Sequence, residues 1–319
     1  MSFALWTACV CLASFAAVGA LASLGAWGAG RFVPDAGSGD AAITARRLFA
    51  LRLLPALLGA AVAGGLTLPG FLLLEPRESR EVAGLAFSLL VAAGLLSIAR
   101  GLGRGAADWW ASRRLHRSWT REGRPLALPG APVSAYRIRN PFPVVSVVGI
   151  LRPRLFVADQ VLERLSAAEL RAVLAHEAGH VAAADNLKRL LVRLCPALPG
   201  PGAARRLEER WEQAAEEAAD ARSGVPLDLA AALLKTARLA PVGARIELPV
   251  ASFHKGSALA RRVRRLTRQA DGAGDVAPPA RLRGAGRVVA VALVAAAVWA
   301  WPQTLLLAHR VVEALVRLP

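Results

Sequence analysis

The sequence predicts a mostly α-helical membrane chain: four membrane-spanning helices, with a small α+β domain inserted between the third and the fourth. Three observations carry that prediction. Hydrophobic residues make up 55% of the 319 positions, more than an ordinary soluble domain needs for its core. The apolar residues gather into four stretches long enough to cross a bilayer, which takes about 20 helical residues. Between the third and fourth stretches lies a long polar segment, broken by Pro and Gly, with both strand-like and helical patterns.

The chain therefore divides into 1–103, three spans at about 2–30, 51–74 and 82–103; 104–287, the inserted domain; and 288–319, a fourth span over about Val288–Ala308 with a short tail. None of the spans contains an acidic residue. The first is too long for a signal-peptide core and has no basic residue before it, so it reads as an uncleaved span with the N-terminus outside. Arg31, Arg46 and Arg47 then mark a cytoplasmic link. Glu75, Glu78 and Glu81 balance Arg77 and Arg80 in an external one. Arg104, Arg113, Arg114 and Arg117 follow the third span and put the inserted domain in the cytoplasm. The cell (inner) membrane is the expected location, with both termini outside.

The net charge of +17, from 40 Lys+Arg against 23 Asp+Glu, is thus read as attraction to anionic lipid head groups. It is not read as a nucleic-acid surface, because no nucleic-acid motif accompanies it. Cys9, Cys11 and Cys195 form neither a disulfide framework nor a C-x-x-C metal site.

Within the insert, Trp109–Trp119 interleaves aromatics with arginine and reads as an interfacial helix, with His116 near the head groups. Pro143–Val148 and Arg154–Val157 are β-type runs joined by a Gly149–Pro153 turn. They predict a hairpin that either roofs a site, its edge open to an extended peptide, or only closes the core. Ser166-Ala-Ala-Glu169 is a capping box that starts a helix able to run to about Leu194.

That helix carries His176-Glu177-Ala178-Gly179-His180, an H-E-x-x-H sequence. Residues four apart share a helix face, so both imidazoles can reach one metal ion, with Glu177 placed as general base. Ala178 and Gly179 allow close packing beside it. A third ligand should come from the helix expected over Ala203–Ala221, ended by Gly224 and Pro226. Glu216 and Asp220 lie one turn apart on it, the first as metal ligand and the second as acceptor of a histidine ring N–H. Spacing alone leaves Glu212 and Glu217 open as ligands. Asp185, past His180, is another candidate to support a histidine. The expected fold class is therefore mostly α, with four transmembrane helices and a gluzincin-like α+β zinc-peptidase domain. Its H-E-x-x-H helix and a second, Glu-bearing helix would hold one Zn²⁺ per chain.

Several stretches together carry a family resemblance: Asn140-Pro-Phe-Pro, Gly149–Val157, Leu165–His180 and Asp185-Asn186. They resemble the BlaR/MecR-type membrane metallopeptidases, the beta-lactam signal transducers and their relatives. The resemblance implies three spans before the zinc domain and one after it. It favours Glu216 through the pattern Glu216-x-x-x-Asp220, and Ala258–Thr267 resembles the stretch leading to the last span. It implies an endopeptidase acting in signal transduction on a peptide or protein substrate, such as a cytoplasmic transcriptional repressor, or on itself. The transducers carry a penicillin-binding sensor after the last span. This sequence stops at Pro319, shortly past that span, so no direct antibiotic sensing is expected. The HtpX and CAAX-processing zinc peptidases share the same two motifs and are the alternative. A non-catalytic membrane module with a structural zinc is the rival of another class, against which Glu177 argues, since a structural site has no use for a base.

Overall fold

The computed structural model describes residues 2–35, 40–75, 83–196, 201–239, 256–271 and 301–316. Three helical stretches are long and apolar enough to cross a membrane: Phe3–Gly30, Ala41–Leu74 and Leu85–Glu122. The first is α1. The second is α2 (Ala41–Val62), a π-helical turn over Ala63–Thr67, and α3 (Leu68–Leu74). Pro55 lacks the N–H of a regular helix, and Gly64-Gly65 sits in the wide turn, so this stretch is held by packing more than by propensity. At 1.5 Å per residue it is about 50 Å long, well beyond a ~30 Å hydrocarbon layer. Its excess is the N-terminal end, ahead of the span expected at 51–74, where Ala45 and Leu48 pack with Trp211 of the inserted domain.

The third, α4 (Leu85–Glu122), corrects one expectation. The interfacial helix foreseen at Trp109–Trp119 is the continuation of the third span. Gly101 and Gly105 lie inside it, and each is a point where Leu194 comes too close for a Cβ. Within a packed helix such glycines serve approach, not termination. The end of α4 lies on the domain's sheet: Trp119 joins its core, and His116 stands edge-on to Phe156 instead of among head groups. The fourth span expected at Val288–Ala308 lies largely outside the described residues; its last residues begin the final helix, Trp301–Val316.

The domain opens with a four-stranded sheet: β1 (Arg124–Leu126), β2 (Ala135–Ile138), β3 (Val145–Val148) and β4 (Arg154–Ala158), in the order β1-β2-β4-β3. The predicted hairpin is β3–β4, antiparallel with Val147 opposite Leu155. Gly149 turns it at φ +110°, where a side chain would meet the Arg152 carbonyl. The pair β1 and β2 was not foreseen, since three- and four-residue strands rich in Arg and Pro give no alternating pattern. Among the described residues, the helices that follow are α5 (Asp159–Arg164), α6 (Ala167–Ala183), α7 (Asp185–Leu194), α8 (Pro201–Arg222), α9 (Pro226–Leu239) and α10 (Gly256–Ala270). Trp301–Val316 is α11. Buried side chains of the sheet, α6 and α9 form the domain core, around Phe156, Leu174 and Leu229.

Candidate metal centre

The capping box is present at the start of α6. Ser166 Oγ accepts from the Glu169 N–H, and the Glu169 carboxylate accepts from the Ser166 N–H. The helix so started does not run to Leu194. It stops at Ala183, Ala184 turns left-handed at φ 54°, and α7 restarts at Asp185. The break places Asp185 where a straight helix would not, with its Oδ2 2.8 Å from His180 Nδ1. The helix α8 crosses α6 at Gly179, where a Cβ would lie 3.0 Å from the Cα of Ala219. That close crossing sets Glu216 beside the two histidines.

The geometry built by these three helices is compact. His176 Nε2 and His180 Nε2 face each other at 3.2 Å. The Glu216 carboxylate lies 3.8 Å from the first and 3.6 Å from the second. Asp220 Oδ1 is 3.0 Å from His176 Nδ1, just as Asp185 holds His180. The carboxylates assign the proton of each ring to Nδ1, so both Nε2 lone pairs point at the same place. Four tetrahedral ligand atoms 2.0–2.1 Å from a zinc ion lie about 3.3 Å apart. The two nitrogens and the carboxylate already stand near that spacing, and the donor set suits zinc. Between Glu212, Glu216 and Glu217, the structure brings Glu216 to the histidines. Glu217 instead pairs with Arg265 at 2.8 Å.

Glu177 is buried, and its Oε2 accepts a hydrogen bond of 3.1 Å from the Val147 N–H. Asn186 donates to the Val147 and Gly149 carbonyls at 3.0 and 3.1 Å. The edge strand β3 thus lies against the site, and at Val147 its outward backbone groups are taken by these two side chains. An open pocket borders Glu177, His180 and Glu216 on one side and Val147, Gly149 and Ile150 on the other.

Electrostatics separate the carboxylates. Burial raises the pKa of Glu177, and the nearby histidines only partly oppose it. Burial pushes Glu216 the same way, but His180 and Arg262 outweigh it and hold the group below the usual carboxylate range. Asp220 and Asp185 are also buried, and their bonds to His176 and His180 keep both well ionised. For His180, burial is overcome by Glu216 and Asp185, and the pKa rises.

Sequence reasoning missed α10. Arg262 binds both oxygens of Asp220, at 3.1 and 2.6 Å, and its Nη1 lies 3.0 Å from Glu216. Arg265 adds a 2.9 Å bond to Asp220. In the sequence the run Arg261-Arg-Val-Arg-Arg stands only as part of the stretch leading toward the last span, with no role at the centre. The signal that could have found the buried arginine is its position between Leu259, Val263 and Leu266, the apolar stripe of the same helix.

Residues 112–239, from the end of α4 through α9, match the model of peptidase family M48. The match supports a metallopeptidase domain and does not extend to the BlaR/MecR subtype. No curated protein and no solved structure matches the chain.

Proposed function

We propose that this chain is a membrane-embedded zinc-dependent endopeptidase. One observation carries the reading: Glu177, a buried base, borders the same pocket as His180 and Glu216, which converge with His176 behind them. These three residues would hold zinc, which when bound supplies Lewis-acid polarisation of a peptide carbonyl and a more acidic water. The chain's own groups do the rest. Asp220 and Asp185 fix both imidazoles in the tautomer that presents Nε2. Arg262 and Arg189 keep Glu216 anionic. Glu177 takes the proton of the attacking water and passes it to the leaving amine; its raised pKa suits a group that must hold a proton and release it. The strand β3, fastened by Asn186, roofs the pocket and offers an extended peptide its remaining edge.

The domain is proposed to face the cytoplasm of an inner membrane, as 104–287 between spans three and four. Its substrate would be a cytoplasmic regulatory protein or the chain itself, as the BlaR/MecR resemblance implies. Juxtamembrane arginines would hold anionic lipid, and no nucleic acid would be involved. The test is Glu177→Gln in the full chain. Hydrolysis of a peptide library and self-processing in membranes should fall by about 10²–10⁴-fold, with zinc content unchanged. Unchanged processing would rule the mechanism out.

A further inference from the structure

Outside this centre, one other set of described side chains can hold a metal ion. Glu75 ends α3, and His309 and Glu313 stand one turn apart on α11. The His309 Nε2 is 3.6 Å from Glu75 Oε2 and 3.6 Å from Glu313 Oε1. One ligand atom from each of the three lies within 4.8 Å of the others. Both contacts are a few tenths of an ångström from the ~3.3 Å spacing of ligands around a tetrahedral zinc.

The surroundings make the trio informative. Trp6, Phe71, Phe87 and Val316 form an apolar cluster at this end of the helices. The Glu75 side chain is only 5% exposed. Two carboxylates brought this close repel each other, and Glu75 in addition loses hydration, a cost that marks a functional site in a membrane protein. A divalent ion bound between them would offset the repulsion of the two carboxylates and give all three donors a common partner.

We infer that Glu75, His309 and Glu313 form a second divalent metal site, for a borderline ion such as Zn²⁺. The single imidazole and the few ligands argue against Ca²⁺ and Mg²⁺, which prefer more oxygens. The site lies far from the first. Leu48 of the same helical stretch packs against the inserted domain, and Glu75 follows it by about 40 Å of helix axis at 1.5 Å per residue. The two centres therefore sit at opposite ends of the membrane helices. This inference does not depend on the peptidase reading.

The experiment counts metal on the full chain in detergent micelles, stripped with chelator and titrated with Zn²⁺, then with Co²⁺ for its visible spectrum. The wild type should bind two ions per chain, and His309→Ala and His176→Ala one each. In the His176→Ala background, added Zn²⁺ should raise the unfolding temperature, and His309→Gln or Glu313→Gln should abolish that rise. Those two variants nearly keep the side-chain volume and should fold without metal as the parent does. A His176→Ala chain that binds no ion, or a His309→Gln chain that binds as many ions as the wild type, overturns the site; so does a His176→Ala chain whose unfolding Zn²⁺ leaves unmoved.

Discussion

Gly179→Ala tests whether the crossing of α6 and α8 sets the metal geometry. In an open helix this change should stabilise by about 0.5–1 kcal/mol, because alanine loses less backbone freedom on folding. Here the new methyl would stand 3.0 Å from the Ala219 Cα and 3.2 Å from its Cβ. Ordinary carbon contacts lie at about 3.5–4.0 Å, so α8 must retreat by roughly 0.5 Å. Glu216 sits on that helix one turn before Ala219 and moves with it. Metal–ligand distances tolerate only about 0.2 Å. Overpacking of this kind costs about 1–3 kcal/mol, and a loss of about 1.4–2.7 kcal/mol is a 10–100-fold weaker zinc affinity. Competition against a chromophoric chelator measures it. Gly202→Ala, on the same α8 with nothing within 4 Å of the added methyl, is the control and should bind zinc normally. A Gly179→Ala chain with zinc affinity within about twofold of the parent, and no loss of thermal stability, would refute the reasoning.

The other predictions concern the groups around the centre. Asp185→Asn should weaken zinc by about 10–100-fold in the same competition assay, because His180 loses the anionic partner that fixes its tautomer. Glu169→Gln keeps a capping-box acceptor but removes the charge that pairs with Lys235, and should cost about 0.5–1 kcal/mol at neutral pH. Burial works against the Glu169 charge, but Lys235 and the Ser166 N–H prevail and lower its pKa in the folded chain. Its contribution is therefore present above the usual glutamate range, near about pH 4, and lost as pH falls through the lower folded value. The melting difference between Glu169→Gln and the parent should shrink accordingly below about pH 4. Ala184→Gly relieves a left-handed alanine worth about 1 kcal/mol and should raise the unfolding temperature with zinc binding unchanged.

What could be read from the residues alone was local. The capping box and the H-E-x-x-H spacing depend on neighbours within one turn, and the structure places both on α6 as written. The choice among Glu212, Glu216 and Glu217 was open to spacing because it depends on how α8 lies across α6, which Gly179 and Ala219 decide. The break at Ala184 was hidden for the same reason: Ala182-Ala-Ala-Asp-Asn favours a continuing helix, and the bond from Asp185 back to His180 accompanies the turn. Arginines of α10 gave no warning, because burying Arg262 makes sense only once Asp220 and Glu216 are known to face it. Likewise the third span, expected to end near 103, runs on to Glu122, and Gly101 and Gly105 within it lie against Leu194.

The helix α7 joins two chemistries. Its first residue, Asp185, orients His180, and at its far end Arg52, buried on α2, donates to the carbonyls of Val192 and Cys195. One ten-residue rod, about 15 Å long, thus runs from a histidine of the centre to a membrane-spanning helix. Thermodynamic linkage makes that connection two-way. Whatever free energy a rearrangement of the spans adds to or takes from metal binding, the metal returns to the spans in equal measure. Lipid thickness and detergent then belong among the variables of zinc affinity, alongside pH and chelator.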